Sequence, residues 1–167
     1  MPRTAAFAAA YALLRAAADV ADHWLQSDVC AQTKGATDAV PVTYTHEKTG
    51  AETVFGTNGG IRSCAWHVTT YSAAQGLALL GGARLLGIRL HPAAVVGALA
   101  VSGLTHYAAD RRVPGGLLHR LAVARQKERF YKLADHGMNG AYVMDQAWHH
   151  GWEAVAALIA AAGAEQR

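Results

Sequence analysis

The sequence predicts an all-α fold: a four-helix bundle with a short β-hairpin insertion and one extra basic helix. Three observations lead there. Hydrophobic residues make up 52% of the chain against 16% charged, and much of the apolar share is alanine, the best helix former and small enough to let helices approach closely. Turn-forming residues concentrate in two places, 33–62 and 112–139, which leaves four long stretches with helical texture. At 167 residues the chain suits one core, so residues 1–167 are expected to form a single helical domain.

The elements follow in order. A first helix is expected from about Thr4 to Ser27, with Leu13, Leu14, Val20 and Leu25 on its apolar side. From Thr33 to Arg62 the texture turns to Gly, Thr and Asn, and two β-prone runs, Val40–His46 and Ala51–Phe55, flank Glu47-Lys-Thr-Gly50 as a hairpin would. A second helix is expected from Ser63 to about Gly81 or beyond. Pro92 suits the first turn of a third helix reaching Asp110 or Arg111. Between Val113 and Asn139, Pro-Gly-Gly and Gly-Met-Asn-Gly enclose a basic helix around Leu117 to Leu133, and a last helix is expected from about Ala141 to Ala162.

Charge and cysteine narrow the classes. The formal charge is +3 with a pI near 9.0, which permits attraction to phosphate or anionic lipid without specifying either. Cys30 and Cys64 are the two cysteines and form no CxxC pair, so neither a disulfide framework nor a zinc ribbon is indicated. The stretch from Ser72 to Thr105 is poor in charge but is interrupted by Arg84, Arg89 and His91-Pro92, leaving two apolar pieces at the short limit for a membrane span. Two core helices and a cytoplasmic location are the expectation, with a small membrane-associated helical protein as an alternative.

The chemistry lies in acids and imidazoles spaced one helical turn apart on stretches that should otherwise pack. The first helix has Asp19 with His23 and Asp22 with Gln26. The second has His67 with Tyr71, the third His106 with Asp110, and the fourth Asp145 with His149. A divalent cation needs several N and O donors converging from different directions, and facing helices of a bundle supply them. A mixed His/Asp set suits zinc, manganese or iron better than calcium. The expected ligands are His67, His106, Asp110, Asp145 and His149. A metal would lower the pKa of its bound water, with Asp22 or His23 as proton acceptor and Gln26 beside them. The alternative is a buried polar network that fixes the register of the bundle without a metal.

Other polar and aromatic residues are expected to do less. Trp24, Trp66, Trp148 and Trp152 are expected to pack, Cys64 to be a buried thiol, and His46, His91, His119, His136 and His150 to lie on the surface. Seven of the fifteen Lys and Arg residues fall between Arg111 and Lys132. A solvated helix face is the plain reading of that cluster. The functional one is a grip on a small-molecule or nucleotide phosphate by Arg111 and Arg112, or on nucleic acid by the whole segment.

The order of these motifs, Asp22-His-Trp-Leu-Gln26, His67 with Tyr71, His106-Tyr-Ala-Ala-Asp110 and Asp145-Gln-Ala-Trp-His149, resembles an uncharacterised bacterial family of small helical proteins. Its members often read as membrane-associated. The Ala-rich texture is similar to proteins of actinobacteria and their phages or plasmids. More loosely, the motifs are similar to membrane-bound metal-dependent hydrolases with His-xxx-Asp helices. The resemblance covers the four helices but not residues 33–62, and it implies roles for Asp22, Gln26, His67, His106, Asp110, Asp145 and His149. The leading expectation is a metal-dependent hydrolase acting on a phosphoester, the rival a non-enzymatic module binding nucleic acid or protein.

Overall fold

Alanine-rich sequence with few internal breakers forms the long helices of the computed structural model, which describes residues 3–135 and 137–164. Helix α1 (Arg3–Val20) runs straight into a π turn, Ala21–Leu25, and a short α2 (Asp28–Thr33) follows. Strands β1 (Val42–Thr45) and β2 (Glu52–Phe55) pair antiparallel, with Val42 opposite Phe55 and Thr45 opposite Glu52. Then come α3 (Thr57–Leu85), α4 (Pro92–Asp110), α5 (Leu117–Ala124), α6 (Glu128–Tyr131), a two-residue β3–β4 pair (Ala134–Asp135 with Met138–Asn139) and α7 (Gly140–Ala162). The all-α class with its hairpin is as the sequence predicts.

Three boundaries differ, each for a local reason. Helix α3 starts six residues before Ser63, because Asp38 and Thr57 hold its first turn reciprocally. The Thr57 N–H donates to Asp38 Oδ1 and the Asp38 N–H donates to Thr57 Oγ1, both at 2.9 Å. Helix α2 arises where a loop was expected, capped by Ser27, whose hydroxyl accepts from the Cys30 N–H at 3.4 Å. The basic helix breaks in two because Gln126 takes a positive φ of 56°, a left-handed turn that no α-helix continues through.

The residues group into two compact units. One contains 1–26, 68–106 and 149–167; the other contains 27–67 and 107–148. In the first, Leu14, Leu79 and Val95 pack with Ala10, Ala98, Ala156, Ala157 and Ala160. Most of these partners are alanine, so the helices pack closely: a Cβ on Gly82 would lie 2.5 Å from Leu13. Several polar side chains are enclosed with them, among them Gln75, Ser102 and Glu153.

In the second unit, Thr33 Oγ1 and Ser63 Oγ lie 2.7 Å apart, joining α2 to α3. Gly60 lets α3 pass beside Ala36, whose carbonyl oxygen would be 2.5 Å from an added Cβ. Cys64 is buried there, with Sγ 4.0 Å from the Tyr107 carbonyl.

Candidate metal centre

Three elements of the first unit bring N and O donors together. The π turn carries Asp22, α4 carries His106 and α7 carries His149, and one ligand atom from each lies within 4.8 Å of the others. His106 Nε2 is 3.5 Å from Asp22 Oδ1. The His106 and His149 rings stack with centroids 4.3 Å apart, and Tyr71 stacks on His106 at 3.8 Å. Both histidines are buried and Asp22 is half-buried. Tetrahedral zinc, with bonds near 2.1 Å, separates its ligand atoms by roughly 3.4 Å, close to the 3.5 Å between His106 Nε2 and Asp22 Oδ1. The residue types and their convergence fit a divalent cation.

A polar network fixes the ring that stacks on His106. The Tyr71 hydroxyl donates to Glu153 Oε1 at 2.8 Å and accepts from Gln75 Nε2 at 3.1 Å. Gln75 also donates to the Leu14 carbonyl at 3.2 Å and accepts from Ser102 Oγ at 2.7 Å. Arg15 reaches both Glu153 oxygens, at 2.8 and 2.9 Å, and also pairs with Asp19. Residues that orient a ligand in this way tune it nearly as strongly as the ligand's own identity does.

The second unit holds a different constellation. Asp110 Oδ2 accepts from Lys34 Nζ at 2.6 Å and lies 3.2 Å from His67 Nε2, and Arg112 Nη2 is 3.4 Å from Asp110 Oδ1 and 2.8 Å from Asp145 Oδ2. Lys34, His67, Asp110 and Asp145 are all buried, while the Arg112 side chain is about half exposed. Two cations and an imidazole around two carboxylates nearly balance the charge.

Arg112 and Asp145 also line a cavity of about 220 Å³, together with His119, Tyr131, Asn139 and Tyr142. Glu128, a partner of His119, sits beneath the ordinary carboxylate pKa because of hydrogen bonds first from Lys132 and then from His119.

The residues expected from sequence are therefore distributed as follows. The expected ligands His67, His106, Asp110, Asp145 and His149 all fall in His/Asp groups able to hold a metal ion, and Asp22 joins His106 and His149 in one of them. His23 is exposed, with Nδ1 2.9 Å from the Asp19 carbonyl of its own helix. Gln26 closes the π turn through its backbone N–H to the Ala21 carbonyl at 2.9 Å. Arg111 donates to the carbonyls of Lys34 and Ala36 and lines the same cavity as Arg112.

Among the aromatics, Trp24 and Trp66 are exposed instead of packed, and Trp148 and Trp152 are half-buried. His46, His91 and His150 are exposed, His119 is half-buried, and His136 lies outside the described residues. Lys34 gave no sequence signal, since its partner is 76 residues away. Glu153 gave a faint one: it is a lone acid in the apolar part of α7, four residues after His149.

Fold and site together define an all-α protein with a hairpin insertion and His/Asp groups able to hold a metal ion. No family model, curated protein or solved structure matches the chain.

Proposed function

We propose that the chain is a metal-dependent hydrolase of phosphoesters in which Asp22, His106 and His149 hold a divalent cation, zinc or else manganese or iron. One observation carries the reading: donors of the right type arrive from three separate elements within 4.8 Å of one another. A bound cation would bring the pKa of its water near 7 and make hydroxide available at neutral pH. Asp22 either ligates directly or takes the water's proton. The phosphoester class is favoured by the chain's net positive charge of +3.

Elemental analysis of protein purified without added metal, beside His106→Ala and His149→Ala, tests the cation. The expected result is near-stoichiometric metal in the parent and a loss of at least tenfold in affinity in each variant. Hydrolysis of bis(p-nitrophenyl) phosphate, abolished by chelator and restored by one metal, tests the reaction. Metal-free parent protein that binds none of the three ions sinks the proposal.

A second reading, a non-enzymatic binding module stabilised by a buried polar network, is favoured by Lys34. Its ammonium already neutralises Asp110 at 2.6 Å, a place a metal would otherwise fill. Nucleic-acid affinity that falls steeply with salt, in protein without metal, would support that reading over hydrolysis.

A further inference from the structure

We propose that the first unit is embedded in a lipid bilayer, with the outward faces of α1, α3, α4 and α7 against the hydrocarbon. The polarity of this unit is inverted relative to a water-soluble bundle. Its interior holds Arg15, Tyr71, Gln75, Ser102, His106 and Glu153 beside Leu14, Leu79 and Val95, while several of its large aliphatic side chains face outward. Leu77 is 77% exposed, Leu104 72%, Val96 67%, and Leu80 and Leu158 56% each. Soluble domains expose such residues singly, not along several neighbouring helices.

The outward positions carry no charge along roughly 18–20 Å of each helix, about two thirds of a hydrocarbon core of about 30 Å. On α3 the exposed residues from Thr69 to Gly81 are Thr69, Ala73, Leu77, Leu80 and Gly81. On α4 from Pro92 onward they are Pro92, Ala93, Val96, Ala100 and Leu104, and on α7 from Gly151 onward Gly151, Val155, Leu158 and Ala162. On α1, every exposed residue between Ala5 and Ala16 is alanine. No exposed Asp, Glu, Lys or Arg lies within those four stretches. By length and composition, Arg3–Leu25 and Pro92–Asp110 are long and apolar enough to cross a membrane.

The charges collect at the two ends or pair inside. Exposed Arg3, Arg84, Arg89 and His91 belong to one end, where Leu90 bridges to Ala164. Asp19, His23 and His150 belong to the other, together with Trp24, which is 83% exposed and suits an interfacial belt. Between the ends, Arg15 and Glu153 neutralise each other in the interior at 2.8 Å, as intramembrane charges do. Close packing through alanine and glycine is likewise how helices associate where lipid leaves no hydrophobic drive between them.

The proposal is independent of the metal reading, and its test does not use activity. The full chain is expressed and its membranes are pelleted, washed in alkaline carbonate and extracted with mild detergent. The chain should stay in the pellet through the wash and dissolve only with detergent. After replacing Cys30 and Cys64 with serine, spin labels are placed singly at Leu77, Leu104 and Leu158, and at Arg84 as a control, in reconstituted vesicles. Labels at the three leucine positions should collide with oxygen several-fold more than with a water-soluble nickel chelate, and the Arg84 label should show the reverse.

A chain that stays in the supernatant without detergent, as monomer or as dimer, overturns the proposal. So does nickel access at the three leucine positions equal to that at Arg84, or protection there from both reagents, which would mean that protein and not lipid covers the face.

Discussion

Replacing Lys34 with methionine removes a buried cation while keeping most of the side chain's volume. In the folded protein Lys34 is 3% exposed and its ammonium lies 2.6 Å from Asp110 Oδ2, on a carboxylate that is itself 2% exposed. Removing one partner of such a pair costs about 3–5 kcal/mol, because the other charge stays buried. Here Arg112, 3.4 Å from Asp110 Oδ1, and His67, 3.2 Å from Oδ2, remain to face the carboxylate, so the low end, about 3 kcal/mol, is expected. For a chain of this size that lowers Tm by roughly 6–12 °C, at about 2–4 °C per kcal/mol.

Thermal unfolding followed by circular dichroism, in the solvent that keeps the parent dispersed, reads this shift. The double variant Lys34→Met with Asp110→Leu should recover much of the loss, because it removes both charges together. A Lys34→Met Tm within 2 °C of the parent, or strictly additive losses in the double variant, would refute the pairing. The same protein should keep its metal stoichiometry, which separates the Asp110 cluster from the Asp22 trio.

Asp110→Asn should likewise cost stability without changing metal content, whereas His149→Ala should lose metal with a smaller change in Tm; metal titration beside thermal unfolding checks both. Asp38→Ala should fray the start of α3, visible as faster amide exchange at residues 57–60. Hydrogen bonds first from the Thr57 backbone and then from its side chain hold the Asp38 carboxyl below its ordinary 3.8. Its contribution is therefore complete above that value and lost as pH falls through the lower folded pKa, so the exchange difference between parent and variant should vanish only in strong acid. Gly140→Ala should destabilise by more than about 1 kcal/mol, because a Cβ there runs into the Phe130 carbonyl oxygen; a variant that unfolds at the parent temperature would contradict the packing of α6 on α7.

Much of the architecture was written in local pattern. Pro92 marked the start of α4, the Val/Thr runs around Glu47–Gly50 marked the hairpin, and alanine density marked the four long helices. What stayed hidden depended on partners distant in sequence or on single backbone angles: the early start of α3 needs Asp38, nineteen residues earlier, and the break after α5 needs the φ of Gln126.

The site was half legible for a similar reason. One-turn spacing singled out His106, Asp110, Asp145 and His149, which are all buried, but it says nothing of what each will meet. His106 meets Asp22 and Tyr71, and Asp110 meets Lys34 and His67. Exposure was the least legible property. Leu77 and Leu104 look in sequence like core residues, and only their neighbours in space show that they point outward.

The π turn at Ala21–Leu25 carries a consequence for how the trio could arise or vanish. A π turn has one residue more than the α-helical turn it replaces, so excising a single codon there would restore an uninterrupted α-helix and rotate everything beyond it by about 100°. The carboxylate of Asp22 would then swing away from His106 although every side chain in the cluster was still encoded. A change in chain length at this turn, and not only a substitution of a ligand, would therefore disturb the arrangement.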